Sequence, residues 1–166
     1  MLEPNKLRAL PNRSDHNCFG CSASNTSGLQ MKFYTDEASV FSWLTLPAHL
    51  SGWSNLVHGG VISTILDEIM SWTAICMLNK FILTKSMTVD FMRPVFIGQE
   101  LRAEGRIAEV RGEREALVSG ALYNGQNKLC AKATGKFAVF NPEDVSKLGL
   151  LGEQAIRDFQ ELLGKR

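Results

Sequence analysis

An excess of either charge is missing from this sequence. Its 166 residues carry 18 Lys and Arg against 17 Asp and Glu, a formal net charge of +1. The basic residues are spread along the chain, so no surface for a nucleic acid is indicated. Long apolar runs are missing too. None reaches the roughly 18–20 residues of a membrane span, and the longest candidate, 61–78, is interrupted by Asp67 and Glu68. The first 15 residues hold Glu3, Pro4, Arg8 and Arg13 without an apolar export region, so a cytoplasmic location is the expectation. Cysteine is sparse. Cys18 and Cys21 make one Cys-x-x-Cys with His16 just before it, and Cys76 and Cys130 stand alone in apolar, periodic segments. A zinc site ordinarily needs a second ligand pair at a recognisable spacing. Packing thiols are therefore expected ahead of a metal site or redox chemistry, with no metal and no cofactor, and secreted disulfides are not. Internal repeats and low-complexity segments are also lacking. The chain is 45% hydrophobic and 21% charged, which suits one globular domain with a real core.

Periodicity supplies the organisation. Residues 1–28 are rich in Asn, Ser, Gly and Pro and read as irregular. Segments 29–35 and 38–46 read as a strand pair turning at Asp36-Glu37. A loop of small residues follows. Over 58–79, Val61, Ile62, Ile65, Leu66, Ile69, Trp72, Thr73 and Cys76 keep a helical spacing. The apolar stripe is wide, so this helix should be wrapped by other structure. From residue 82 the period changes to that of strands at 83–91, 100–110, 114–123 and 129–140. Arg93-Pro94, Arg111-Gly112 and Asn124-Gly125 separate them, the last a strong hairpin signal. One long helix beside a run of antiparallel strands means an α+β fold. The domain spans 29–140. In the tail, 141–166, Asn141-Pro142 suits a helix start and Ile156, Phe159, Leu162 and Leu163 make a short apolar stripe.

The stretch from His58 to Glu68 carries the chemistry. His58, Gly59 and Gly60 open the helix, and Asp67 falls inside its apolar run. Paired glycines cost helix stability, so the opening turn must need close backbone approach or free N–H groups. Such N–H groups, with the macrodipole, favour negative charge and outline an oxyanion hole. An acid among Ile65, Leu66, Ile69 and Met70 is desolvated, which raises its pKa and suits it to proton chemistry. The two parts lie roughly 12 Å apart along one helix, too far for one reacting centre. A two-fold dimer with antiparallel helices would set Asp67 of one chain beside Gly59 of the other.

The pattern His-Gly-Gly-x6-Asp, followed by Thr84-Lys85-Ser86-Met87-Thr88-Val89-Asp90-Phe91-Met92-Arg93-Pro94-Val95, resembles the hotdog-fold acyl-CoA thioesterases of the phenylacetate-pathway type. Asn17-Cys18-Phe19-Gly20-Cys21 leading to Ser27-Gly28-Leu29 matches an opening common in one branch. The resemblance covers roughly 16–140. It implies an antiparallel sheet wrapped around one long central helix, an acyl-CoA substrate, and a homodimer or homotetramer. It also implies roles. Gly59 would polarise the thioester carbonyl through its N–H, Gly60 complete the tight turn and His58 position that region. Asp67 would be general base or nucleophile, and Thr84 orient the water from the same chain. Many members carry an asparagine six residues before the histidine; here that position is Gly52, and the nearest asparagine is Asn55. Lys85 and Arg93 are candidates for the phosphates of coenzyme A, with structural salt bridges as the alternative.

Plainer roles compete. His58 could simply cap a helix, Asp67 could be a buried acid with a partner, and Thr84 an ordinary strand residue. Glu68, about 100° further round the helix, reads as solvated or salt-bridged. Trp43, Trp53 and Trp72 read as core or interface packing residues rather than ligand stackers. Besides thioester hydrolysis, a non-catalytic acyl-CoA-binding or regulatory domain would keep the pocket without turnover, though a pure binder need not retain a base. A hotdog dehydratase would need a histidine–carboxylate pair in another motif context.

Overall fold

The computed structural model describes residues 3–13, 16–149 and 151–164. Its centre is α1 (Gly59–Leu78). His58 starts the helix with its ring, and Asn79 ends it in the left-handed conformation (φ 55°), donating its N–H to the Ile75 carbonyl; Asn tolerates that conformation better than most residues. Ile62, Ile65, Leu66, Ile69, Met70, Trp72, Thr73, Ala74 and Cys76 are buried, the face that the helical spacing predicts. By length and composition α1 is apolar enough to cross a membrane, so Asp67 and Glu68 do not take it below that mark as the sequence pattern implied. Here the apolar face is covered by a sheet.

Among the described residues that sheet has seven antiparallel strands: β1 (Arg8–Ala9), β2 (Tyr34–Thr35), β3 (Val40–Thr45), β4 (Phe81–Phe91), β5 (Glu100–Arg111), β6 (Glu115–Asn124) and β7 (Leu129–Phe140). They lie in the order β1-β2-β3-β5-β6-β7-β4. Leu101, Ala103, Val118, Leu122, Ala131, Ala133 and Phe137 join the α1 residues in one core. The approach is closest at Gly105. A Cβ there would collide with Thr73 Oγ1 and come within 2.8 Å of the Ile69 carbonyl oxygen, so β5 packs backbone to backbone against α1. This is the hotdog fold.

Three differences from the sequence pattern have physical causes. The strand expected over 29–35 shrinks to Tyr34–Thr35. Leu29 and Met31 donate their N–H groups instead to the carbonyls of Phe19 and Gly20 (2.9 and 3.0 Å), which ties the segment to the Cys-x-x-Cys loop while Met31 and Phe33 stay buried. Strand β1 falls in the segment read as irregular and pairs with β2. The β6–β7 hairpin closes through four residues, with the left-handed conformation at Asn127 (φ 59°). Asn124 Oδ1 accepts the N–H groups of Gln126 and Lys128, a side-chain-built turn.

The tail forms α2 (Pro142–Lys147) and α3 (Glu153–Gly164). Phe81, Val145 and Ile156, with Phe140 and Phe159, make a second small cluster, in which the Phe81 and Phe159 rings stack at 4.3 Å. The side chains of Leu162 and Leu163, the rest of the expected stripe, lie outside the described residues. Trp72 stacks on Phe33 and Trp43 meets Tyr34 edge-on. Trp53 is 83% exposed, so of the two packing roles expected for it the core is excluded.

Candidate active site

Asp67 and Thr84 meet directly. Thr84 Oγ1 donates to Asp67 Oδ1 at 2.8 Å. Asp67 stands in the third turn of α1, half-buried by the neighbouring apolar residues. Burial pushes its carboxyl above the ordinary carboxylate range, the Thr84 hydrogen bond pulls the other way, and the nearby Cys18 thiolate adds to the rise. On β4 the pairing register with β7 slips between Thr84 and Ser86. Such a bulge bends a strand and re-aims a side chain, and it sits at the residue that reaches Asp67. Thr84 is exposed on the outermost strand, so the pair faces outward.

The opening turn of α1 is organised around His58. Its Nδ1 accepts the Gly60 N–H at 2.9 Å, and its carbonyl accepts from Val61 and Ile62 (2.9 and 3.2 Å). Gly60 makes room for the cap: a Cβ would lie 3.0 Å from His58 Nδ1. The Gly59 N–H has no intrahelical acceptor. A Cβ on Gly59 would meet the Phe91 ring only at 3.6 Å. Gly52 packs against His58, and a Cβ there would fall 3.1 Å from the His58 Cα. A side chain at position 52 would require His58 to give by a few tenths of an ångström. Gly59 and Asp67 remain at separate places along one helix.

The other expected contacts are scattered. Asn55 is exposed and its carbonyl accepts the Ile97 N–H at 2.8 Å. Lys85 pairs with Glu115 at 2.6 Å. Arg93 donates to the Leu129 carbonyl at 2.6 Å. Lys85 and Arg93 thus each hold a structural partner within the chain. Glu68 differs from its expected place. It is drawn against the Cys-x-x-Cys loop, with Oε1 3.5 Å from Cys18 Sγ, and burial, then the Cys18 charge, push its carboxyl up to about 8. The signal was in the spacing: Glu68 stands three residues after Ile65 and four before Trp72, on the apolar face. Beside it opens a cleft of about 570 Å³ lined by Trp72, Ile75, Ile82, Leu83, Thr84 and, from the tail, Phe159.

Residues 54–131 match the model of the thioesterase superfamily. The domain has the hotdog fold, and over this stretch it is similar to the thioesterase superfamily. The chain is 32% identical over 106 residues to an uncharacterised protein of Schizosaccharomyces pombe, covering 61% of this chain and 57% of that one. It spans a little over half the length of the curated relatives it matches. Among solved structures, the Escherichia coli PaaI protein of the phenylacetic acid degradation operon superposes with a TM-score of 0.61 at 21% identity, covering 68% of this chain and 81% of that chain. A Streptococcus mutans protein bound to acetyl CoA gives 0.62 at 20% identity, over 67% and 89%. At such identities the likeness is one of fold.

Proposed function

We propose that this protein hydrolyses an acyl-CoA thioester to the free acid and coenzyme A, with each site shared by two copies of the chain. The Asp67–Thr84 pair carries the reading: a desolvated carboxylate held by a hydroxyl at 2.8 Å on an exposed strand. Asp67 takes a proton from water as that water attacks the thioester carbon, or attacks the carbon itself to form a mixed anhydride that water then cleaves to the free acid and the restored carboxylate. Thr84 holds the reacting oxygen and the carboxylate in register. The Gly59 N–H of the second copy receives the negative charge that develops on the carbonyl oxygen. Collapse of the tetrahedral intermediate expels the coenzyme A thiolate, which picks up a proton. The thioesterase-superfamily match and the fold shared with a protein that binds acetyl CoA support this choice of substrate class.

The test is thiol release from CoA thioesters of graded chain length and aryl type. Asp67→Asn keeps the size of the side chain and removes the base. It should fold normally and lose ~10²–10⁴-fold in rate if Asp67 is a base, and more if it is the nucleophile. Hydrolysis by Asp67→Asn near the native rate would remove Asp67 from the mechanism.

A further inference from the structure

Three donor side chains converge at the N-terminal loop. His16, Cys18 and Cys21 bring an imidazole nitrogen and two thiol sulfurs within 4.8 Å of one another. Among the described residues none of the four cysteines is in a disulfide. The backbone N–H groups of Gly20 and Cys21 and the Cys21 thiol lie on the side of the Cys18 sulfur and favour its charged form, the kind of outer-shell support that metal-bound thiolates use. From α1, Glu68 brings a carboxylate oxygen to 3.5 Å from Cys18 Sγ. Gly20 permits that approach, because a Cβ there would collide with the Glu68 side chain.

The frame of this loop is bonded elsewhere, which leaves the donors turned toward one another. Asn12 Nδ2 donates to the Cys21 carbonyl at 2.8 Å, and Ser22 Oγ donates to the His16 carbonyl at 2.5 Å. The first of these bonds also orients the Asn12 amide, so its oxygen is what faces His16 Nε2 at 3.2 Å. An amide oxygen can only accept. Nε2 therefore carries the ring proton and Nδ1 offers its lone pair, now facing the Cys18 N–H at 3.2 Å. A histidine that donates one ring N–H to a fixed oxygen and presents the other nitrogen is arranged as metal ligands are. Two thiols, an imidazole and a half-buried carboxylate call for a cation. Arg13, which lines the same cleft, directs its guanidinium to Asp158 and the Ala155 carbonyl.

We propose that His16, Cys18, Cys21 and Glu68 form a Zn²⁺ site that clamps the N-terminal loop to α1. Nitrogen, sulfur and oxygen donors in this ratio suit tetrahedral zinc. Donors bound at ~2.0–2.3 Å from such an ion lie roughly 3.3–3.8 Å apart, so His16, Cys18 and Cys21 must draw in by up to about 1 Å, and Glu68, which lies within reach of Cys18 but outside that three-donor group, must swing further toward them. Binding releases the thiol protons to solvent. A second Cys-x-x-Cys is not needed, because the remaining donors come from just before the motif and from the middle of α1. This clamp does not rest on thioester hydrolysis.

Metal analysis of the full chain purified under reducing conditions tests it. About one zinc per chain is expected, held by wild type and by Cys76→Ser and Cys130→Ser, and lost from His16→Ala and Cys18→Ser. Cobalt-loaded protein should show thiolate-to-metal charge-transfer absorption that weakens in Cys21→Ser. Chelation should lower the melting temperature of wild type and leave that of Cys21→Ser unchanged. If the variants fail to fold, titration of zinc into reduced, metal-free wild type still decides. No uptake at micromolar zinc, full retention by Cys18→Ser, or a Cys18–Cys21 disulfide that persists in zinc-containing buffer would each overturn the site.

Discussion

Asp67 is governed by two opposed effects. Burial raises its pKa and the Thr84 hydroxyl lowers it, with burial the larger. The free-enzyme acid limb of kcat/KM should therefore lie above the ordinary carboxylate range of about 4. Thr84→Ala removes the contribution that favours the charged form. The acid limb should then move to still higher pH, while the rate on the alkaline side falls because the water is no longer oriented. Profiles of kcat/KM against pH for wild type and Thr84→Ala measure this. An acid limb that moves down in the variant would show that Thr84 does not tune Asp67. The motif residues were readable because each is costly without a use: two glycines at a helix start and an acid in an apolar run. Glu68 was misread because a charge beside a stripe was weighed as solvated, when its spacing to Ile65 and Trp72 set it on the buried face. Its partner Cys18 is remote in sequence, and spacing cannot show which loop a helix face will meet.

At the level of elements, strands with a strict alternation were legible and short ones were not. β7 appears over the expected 129–140, because alternate residues from Ala131 to Val139 are buried and set a period of two. Segment 29–33 has apolar residues in the same rhythm, yet its backbone bonds to the Phe19–Gly20 loop; hydrogen-bond partners decide a strand, and composition does not name them. Gly105 marks the contact between layers. No local pattern singles it out, since its role depends on Thr73 and Ile69 passing over it. Gly105→Ala should destabilise the fold by roughly 1–3 kcal/mol or more, since a Cβ there would collide with Thr73 Oγ1 and crowd a backbone carbonyl. Pairing it with Thr73→Ser, which keeps the hydroxyl, should recover little, because the Ile69 carbonyl stays in place. Urea unfolding of the single and double variants reads the cost. A Gly105→Ala midpoint equal to wild type would mean that α1 and β5 separate freely.

The whole molecule leaves an unusual edge. β4 ends the sheet, is 11 residues long and exposes Leu83 and Phe91, with Met92 following. A long edge strand with apolar side chains is a template for pairing with another chain. The Phe91 end of this edge lies beside Gly59, and Thr84, further along it, touches Asp67. Edge-to-edge pairing of two antiparallel β4 strands would thus carry one chain's helix start toward the other chain's acid, which is what the roughly 12 Å between Gly59 and Asp67 requires. Complementation distinguishes a shared site from two private ones. Asp67→Asn and Gly59→Ala should each be nearly inactive alone, Gly59→Ala by about 10²–10³-fold in kcat with KM little changed. Alanine at position 59 meets only Phe91 at ordinary contact distance, so that variant should fold. When the two are mixed and allowed to exchange subunits, each heterodimer carries one site with both defects and one with neither. Random pairing makes about half of the dimers heterodimers, so activity should rise to about a quarter of native. Each private site would keep its own defect, and the mixture would then stay as inactive as its components despite confirmed exchange. That outcome would return both residues to a single chain and remove the need for a partner.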